Sequence, residues 1–385
     1  MFRFKTLNSA LKVTGGKGAR YPWESTESGD EGTPPGPWMY EVHHIAVIAL
    51  ESWIHFLYTQ SKDFLKNIAY PVIKECAEYF RLWHVYEINE EKAMIGACTD
   101  LDETVFPVKN PVYTSCGIIR TFLIAAKASE ILKTDNKLRL LWRRLAEKLL
   151  RNLPFDGEKY IPFHGATHQS LCSLGILFPF EVLNPEDERV RRTVFDYRKR
   201  CHSTVGWKGG STEAYRGQNS IWNTAWLAIC LARMGEGELA YDALKRATLL
   251  TNTFGSVNEQ LIDGRVQRPW FTTGAGAYAY ALNEMLVQST LTEIKILPAI
   301  PSKWRNLSFK LRCKGNILIE VKVFDGLVKE ISLESPKETS REVLIPKNLI
   351  REKYKIEGGT IEGIKDKGLF RSFKITFKKA SIKTY

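Results

Sequence analysis

Glu103 in T-D-L-D-E-T-V and Glu259 in G-S-V-N-E-Q-L-I-D-G are the residues of this chain best placed by type and context for acid–base chemistry. Each lies in a polar segment between long apolar stretches of helical spacing, so both are expected in loops. Breaking a glycosidic bond takes one carboxyl to protonate the leaving oxygen and one carboxylate to activate water. A separation of about 6.5–9.5 Å would admit that water and invert the anomeric centre, whereas about 5–5.5 Å would make the second group a nucleophile. The sequence leaves that choice open. Asp100 and Asp102 compete with Glu103 for the donor role, or raise its pKa by like-charge repulsion. Asp263, in I-D-G, reads as a turn former.

The loop 15–37 strings G-A-R-Y-P-W-E-S before T-E-S-G-D-E-G-T-P-P-G-P-W, which puts Arg20, Trp23 and Glu24 within five residues. A pyranose offers an apolar face that stacks on an aromatic ring and a rim of hydroxyls that takes charged or amide partners, and these three side chains supply both. His43 and His44 are adjacent, so they cannot share a helix face, and no third ligand has suitable spacing. No metal or other cofactor is therefore expected.

These residues need elements to hold them. Apolar residues recur at helical spacing over 40–60, 64–83, 112–132, 137–153, 186–201, 220–234, 239–253 and 273–288. After Ser289 the pattern changes to short alternating runs, with the hairpin signal Asp325-Gly326 between 321–324 and 328–333. The reading is a mainly α chain, with helices over 1–290 and a small antiparallel β domain over 291–385. The net charge of +12 belongs to the tail, where 21 Lys/Arg face 11 Asp/Glu, leaving 34 against 32 in residues 1–290. Its lysines alternate with apolar residues, as on the solvated face of a half-buried sheet, and no nucleic-acid readout motif accompanies them. The 7 cysteines are scattered, without C-x-x-C spacing, and read as buried small hydrophobes. The basic, mixed N-terminus lacks the apolar core of a signal peptide, and no apolar run reaches the ~20 residues of a membrane helix. A cytoplasmic location is the expectation.

The motifs G-K-G-A-R-Y-P-W-E-S, E-V-H at 41–43, D-L-D-E-T-V and N-P-V-Y-T-S at 110–115 resemble, in order and spacing, the catalytic domain of glycoside hydrolase family 65. That resemblance implies an (α/α)6 toroid with the general acid on Glu103. The same stretch is similar to the acid loop of glucoamylases, whose S-E-Q-F motif resembles V-N-E-Q-L and implies the base at Glu259. T-T-G-A-G-A-Y at 272–278 and I-L-P-A-I-P at 296–301 are similar to further family segments, so the resemblance spans roughly 15–300 and the tail. The family's K-Q pair falls on His168-Gln169. Its phosphate-binding loop has no counterpart in 215–223, which favours hydrolysis over phosphorolysis. Its N-terminal β-sandwich and W-D-T-E segment are not found, so a partner chain or self-association is expected to complete the ring.

The resemblance implies a glycosidase that hydrolyses an α-glucoside or related oligosaccharide by single displacement. Sugar contacts are expected from Arg20, Trp23, Glu24, His43, Gln169, Arg268 and Trp270. The alternatives are a non-catalytic carbohydrate-binding protein, half of a split enzyme, or a family 65-like phosphorylase. An incomplete ring that shifts a catalytic group by about 1 Å can cost ~100-fold in rate.

Overall fold

A computed structural model describes residues 2–384, apart from 216, 352 and 353. The chain packs into two compact units: one holds residues 1–56, 61–223 and 260–267, the other 57–60, 224–259 and 268–385.

The first unit is helical: α1 (Phe2–Val13), α2 (His43–Thr59), α3 (Lys62–Phe64), α4 (Tyr70–Trp83), α5 (Val112–Leu132), α6 (Asn136–Leu150) and α7 (Glu188–Arg200). Most follow the periodicity of the sequence to within a few residues; α1 was not expected. The stretch 64–83 is broken by a π turn at Leu65–Ala69, directly before Pro71 in the first turn of α4. Proline lacks the N–H of the helical ladder and its ring presses on the carbonyl four residues back, so the turn widens there. Helix α7 shows why such segments fold: Asp187 caps it through the Arg189 amide at 2.9 Å, and Val190, Thr193, Val194 and Tyr197 bury one stripe. Helices α5 and α6 form an antiparallel hairpin whose buried Trp142 donates to Glu78 Oε1 at 2.8 Å. The hairpin β1 (Val85–Glu87) and β2 (Ala93–Ile95) follows α4.

Gly18 ties the loop 15–37 to this scaffold. Its φ is +85°, and a Cβ there would lie 2.4 Å from the backbone of Tyr79. Next to it the Ala19 amide donates to Glu75 O at 2.9 Å and the Arg20 amide to Ala10 O at 3.1 Å.

Short strand β3 (Asn219–Ser220) leads into α8 (Ile221–Arg233), α9 (Gly237–Ala247), the hairpin β4 (Asn258–Ile262) and β5 (Arg265–Pro269), and α10 (Thr272–Leu286). Asp263 and Gly264, both at positive φ, make the two-residue turn of that hairpin. The second unit holds α9, α10 and the remaining strands, β6 (Val287–Ser289), β7 (Glu293–Ile296), β8 (Leu307–Cys313), β9 (Ile317–Phe324), β10 (Leu327–Pro346), β11 (Tyr354–Lys367) and β12 (Phe370–Thr384). The sheet starts close to residue 290, yet its compact unit also takes the preceding helices, because Leu286 lies in the sheet's own core with Ile319, Val321, Ile331, Phe373 and Ile375. The segment 57–60 joins this unit through the Gly315 amide, which donates to Leu57 O at 2.7 Å.

Asp325 (φ 53°) and Gly326 (φ 74°) form the expected turn, with Phe324 paired to Leu327. Along β9 buried residues alternate with exposed ones such as Lys322, which pairs with Glu330 at 3.0 Å. The sheet corrects one expectation: it is not wholly antiparallel, since β7 runs parallel to β10 through Glu293–Lys295 and Glu342–Leu344. A strand separated from its neighbour by two intervening strands can return in either direction, which local alternation does not reveal. Among the described residues no helix is long and apolar enough to cross a membrane.

Candidate active site

In the first unit the segment 98–104 carries three carboxyls with three different fates. Asp100 is 2 % exposed and accepts the Tyr113 amide at 3.2 Å, the Thr114 amide at 3.0 Å and the Thr114 hydroxyl at 2.7 Å. It serves the open amides at the start of α5, where Pro111 has no side chain to do so. Burial nevertheless pushes Asp100 up to about 6, against the hydrogen bonds from Thr114 and Tyr113 that favour its charge. Asp102 is also buried and accepts from the Thr104 amide at 3.0 Å and its hydroxyl at 2.6 Å, with His168 Nε2 3.6 Å away. Burial pulls Asp102 upward, but the nearby His168, the hydrogen bonds from Thr104 and the Tyr215 hydroxyl hold it below the usual carboxylate range. Glu103, the next residue after these anchors, is exposed.

A second strip of chain comes alongside. Glu41 bridges Thr99 in parallel register, the Thr99 amide donates to Tyr40 O at 3.1 Å, and its hydroxyl donates to Pro37 O at 2.7 Å. Two aromatic pairs involve these stretches: the Trp23 and Trp38 rings are 6.1 Å apart and those of Tyr40 and Phe106 5.5 Å. Trp23, Tyr40 and Phe106 are each more than a third exposed, an aromatic surface beside an acid. Glu41 opens the E-V-H motif but, like Trp38 and Tyr40, was not among the expected sugar contacts. The signal available was an acidic residue two before a histidine at a helix start, preceded by a second Pro-Trp.

Glu41 is itself unusual. It is 2 % exposed, its Oε2 lies 3.4 Å from His43 Nε2, and its Oε1 has no hydrogen-bond partner. Burial, then the charges of Glu103 and Asp100, push it up to about 9, with Trp23 opposing. His43, edge-on to Tyr113 at 5.2 Å, is pushed down to about 3 by burial and by His44, so it is neutral.

The other expected contacts stand as follows. Arg20 donates to Glu31 Oε2 at 2.9 Å and to Met39 O at 3.3 Å, bracing the loop that carries Trp23. The Glu24 side chain is exposed, and its amide donates to Thr33 Oγ1 at 3.1 Å. Gln169 is fully buried. Its amide nitrogen donates to Tyr160 O and Asp196 Oδ2, both at 3.3 Å, while its oxygen accepts from the Ser170 amide at 3.1 Å and the Ser173 hydroxyl at 2.5 Å. Its valences are spent inside the protein, and His168 is the member of that pair beside the acid loop.

In the second unit Glu259 accepts from Arg268 Nη1 at 2.7 Å. Glu259 lies on strand β4, not in a loop as the sequence implied, because residues 258–262 pair within a hairpin whose turn signal is the Asp263-Gly264 dipeptide. Arg268 (φ 49°) and Trp270 (φ 69°) both hold left-handed backbone, a conformation that costs non-glycine residues about 1–3 kcal/mol, and Trp270 is 64 % exposed. Among the described residues no group of His, Cys, Asp and Glu side chains is placed to hold a metal ion.

A bacterial glucoamylase complexed with acarbose superposes at a TM-score of 0.54 and 14% identity, over 72% of this chain and 45% of that one, and so shows the toroid glycosidase fold. The chain belongs to glycosyl hydrolase family 95, whose catalytic domain matches residues 18–286. It is 24% identical over 313 residues to the kojibiose hydrolase of Mucilaginibacter mallensis, covering 76% of this chain and 42% of that protein. It is 25% identical over 325 residues to the alpha-L-fucosidase 2 of Arabidopsis thaliana, covering 78% of this chain and 36% of that one. The resemblance to a toroid glycosidase is borne out, and the family that matches is 95. The chain spans under half the length of these two relatives.

Proposed function

We propose that this chain hydrolyses an α-linked glucoside by single displacement, with Glu103 as general acid and Glu259 as general base. The observation that supports this most is the division of labour around Glu103: its neighbours Asp100 and Asp102 are both buried and engaged, while Glu103 is exposed beside the aromatic surface. Of the carboxyls in this loop, it is the one a leaving-group oxygen can reach. Trp23 and Trp270 would stack sugar faces, with Arg20 bracing the Trp23 loop, Glu24 and His43 meeting hydroxyls, and Arg268 orienting Glu259. Gln169 would act at a distance, by fixing the stretch that carries His168. Water would attack as Glu259 takes its proton, the bond from the anomeric carbon to the leaving oxygen would break, and Glu103 would protonate that oxygen.

The kojibiose-named relative supports the α-glucoside, and the fucosidase-named relative marks the alternative sugar. The 7 cysteines, all buried and none in a disulfide, suit a reducing cytoplasm. The test is a panel of α-linked disaccharides and an α-L-fucoside, with and without phosphate, read by NMR for the anomer released. β-Glucose from an α-glucoside without phosphate is expected. Phosphate-dependent release would make it a phosphorylase, and no release of any kind would make it a binding protein.

A further inference from the structure

Glu41 has no part in the acid–base scheme, yet its place in the fold is costly unless it is used. A buried polar atom without a partner costs about 1–3 kcal/mol. Glu41 Oε1 is such an atom, on a side chain 1 % exposed. The segment that holds it is not a passive core. It is fixed by the Thr99 and Tyr40 pairing, lies beside Trp23, and is close enough to Glu103 to feel its charge.

Taking the site around Glu103 as a sugar site, we infer that Glu41 is a substrate-contacting residue, whose Oε1 hydrogen-bonds a sugar hydroxyl between Trp23 and Glu103. The groups that face Glu41 are His43 on α2, Tyr113 on α5, Cys98, Asp100 and Glu103 on the adjacent segment, and Trp23 on the loop. Burial and the Glu103 and Asp100 charges, with no cation among these groups to offset them, keep the carboxyl neutral at pH 7, so it can donate as well as accept. A neutral acid suits this position. It binds a hydroxyl without adding a second negative charge beside the proton donor. Above pH 9 it ionises, loses its donor hydrogen and repels Glu103, so affinity for sugar falls.

The experiment is calorimetric binding of glucose, which turnover does not consume, to wild type, Glu41→Gln and Glu41→Leu at pH 7 and pH 9.5. Gln keeps the donor and acceptor without titrating, so its affinity is expected within about threefold of wild type at pH 7 and flat to pH 9.5. Wild type is expected to lose about fourfold over that interval, and Glu41→Leu to bind at least tenfold more weakly at pH 7. Glu41→Leu binding within twofold of wild type with native melting overturns the inference. An equal alkaline loss in wild type and Glu41→Gln does so too, and this comparison decides alone if the Leu variant fails to fold. Kojibiose hydrolysis with Glu41-independent glucose affinity leaves the proposed reaction standing and removes this contact. Glucose binding that depends on Glu41 without hydrolysis does the reverse, and no glucose binding by wild type removes both.

Discussion

The Asp100 carboxylate closes the first turn of α5 by accepting both the amide and the hydroxyl of Thr114, at 3.0 and 2.7 Å. It thereby moors the loop of Glu103 to the longest helix of its unit. Asp100 titrates near 3.8 unperturbed and near about 6 in the folded chain, with burial the cause. The folded state thus holds this proton more tightly, so the stability from neutral Asp100 is complete below pH 3.8 and lost as pH rises through 6. Asn cannot ionise. The stability of Asp100→Asn relative to wild type should therefore rise between pH 4 and pH 7 by on the order of 3 kcal/mol. Thermal unfolding of both proteins at the two pH values checks this, and a constant gap would count against it.

Gln169→Ala should fail by unfolding rather than by losing sugar. Removing the amide strands the Ser173 hydroxyl, the Ser170 amide and Tyr160 O, which it now serves. Each buried group left unpaired costs about 1–3 kcal/mol. Urea unfolding should show the loss, while glucose affinity of the still-folded fraction changes by less than about threefold. A large affinity loss at unchanged stability would restore a direct contact.

Gly18→Ala tests how the aromatic loop is held. The added Cβ would sit 2.4 Å from Tyr79 backbone atoms at a φ of +85°, so the loop must leave α4. A destabilisation above about 2 kcal/mol is expected, together with a raised KM, because Trp23 moves with the loop. Near-normal melting and KM would show that the loop is not anchored there.

Arg268→Ala separates a functional ion pair from a decorative one. Arg268 is 76 % exposed, so its bond to Glu259 should contribute less than about 1 kcal/mol to stability. If the pair orients the base, kcat should nevertheless fall at least tenfold while melting barely moves. Unchanged kcat would detach Arg268 from the reaction.

Much of this architecture was legible in the residues. The stripe of Val190, Val194 and Tyr197 gives α7, and Asp325-Gly326 gives the turn from β9 to β10, because each signal is local. What the sequence hid depends on distant partners. Asp100 and Asp102 looked equivalent to Glu103 until the amides of α5 and the His168 stretch took them up. Glu41 is drawn into the site by pairing across more than fifty residues, and Gln169 is turned inward by Tyr160 and Ser173. Glu259 looked like a loop residue because its strand is only five residues long and carries polar side chains.

The central claim is that the exposed glutamate of the 98–104 segment gives the proton. Glu103→Gln keeps the shape and removes the acid, so hydrolysis of the α-glucoside that wild type cleaves should fall to below about a hundredth of wild type while glucose affinity stays within about threefold. A purified, folded Glu103→Gln protein that keeps more than about a tenth of the wild-type rate would contradict the account.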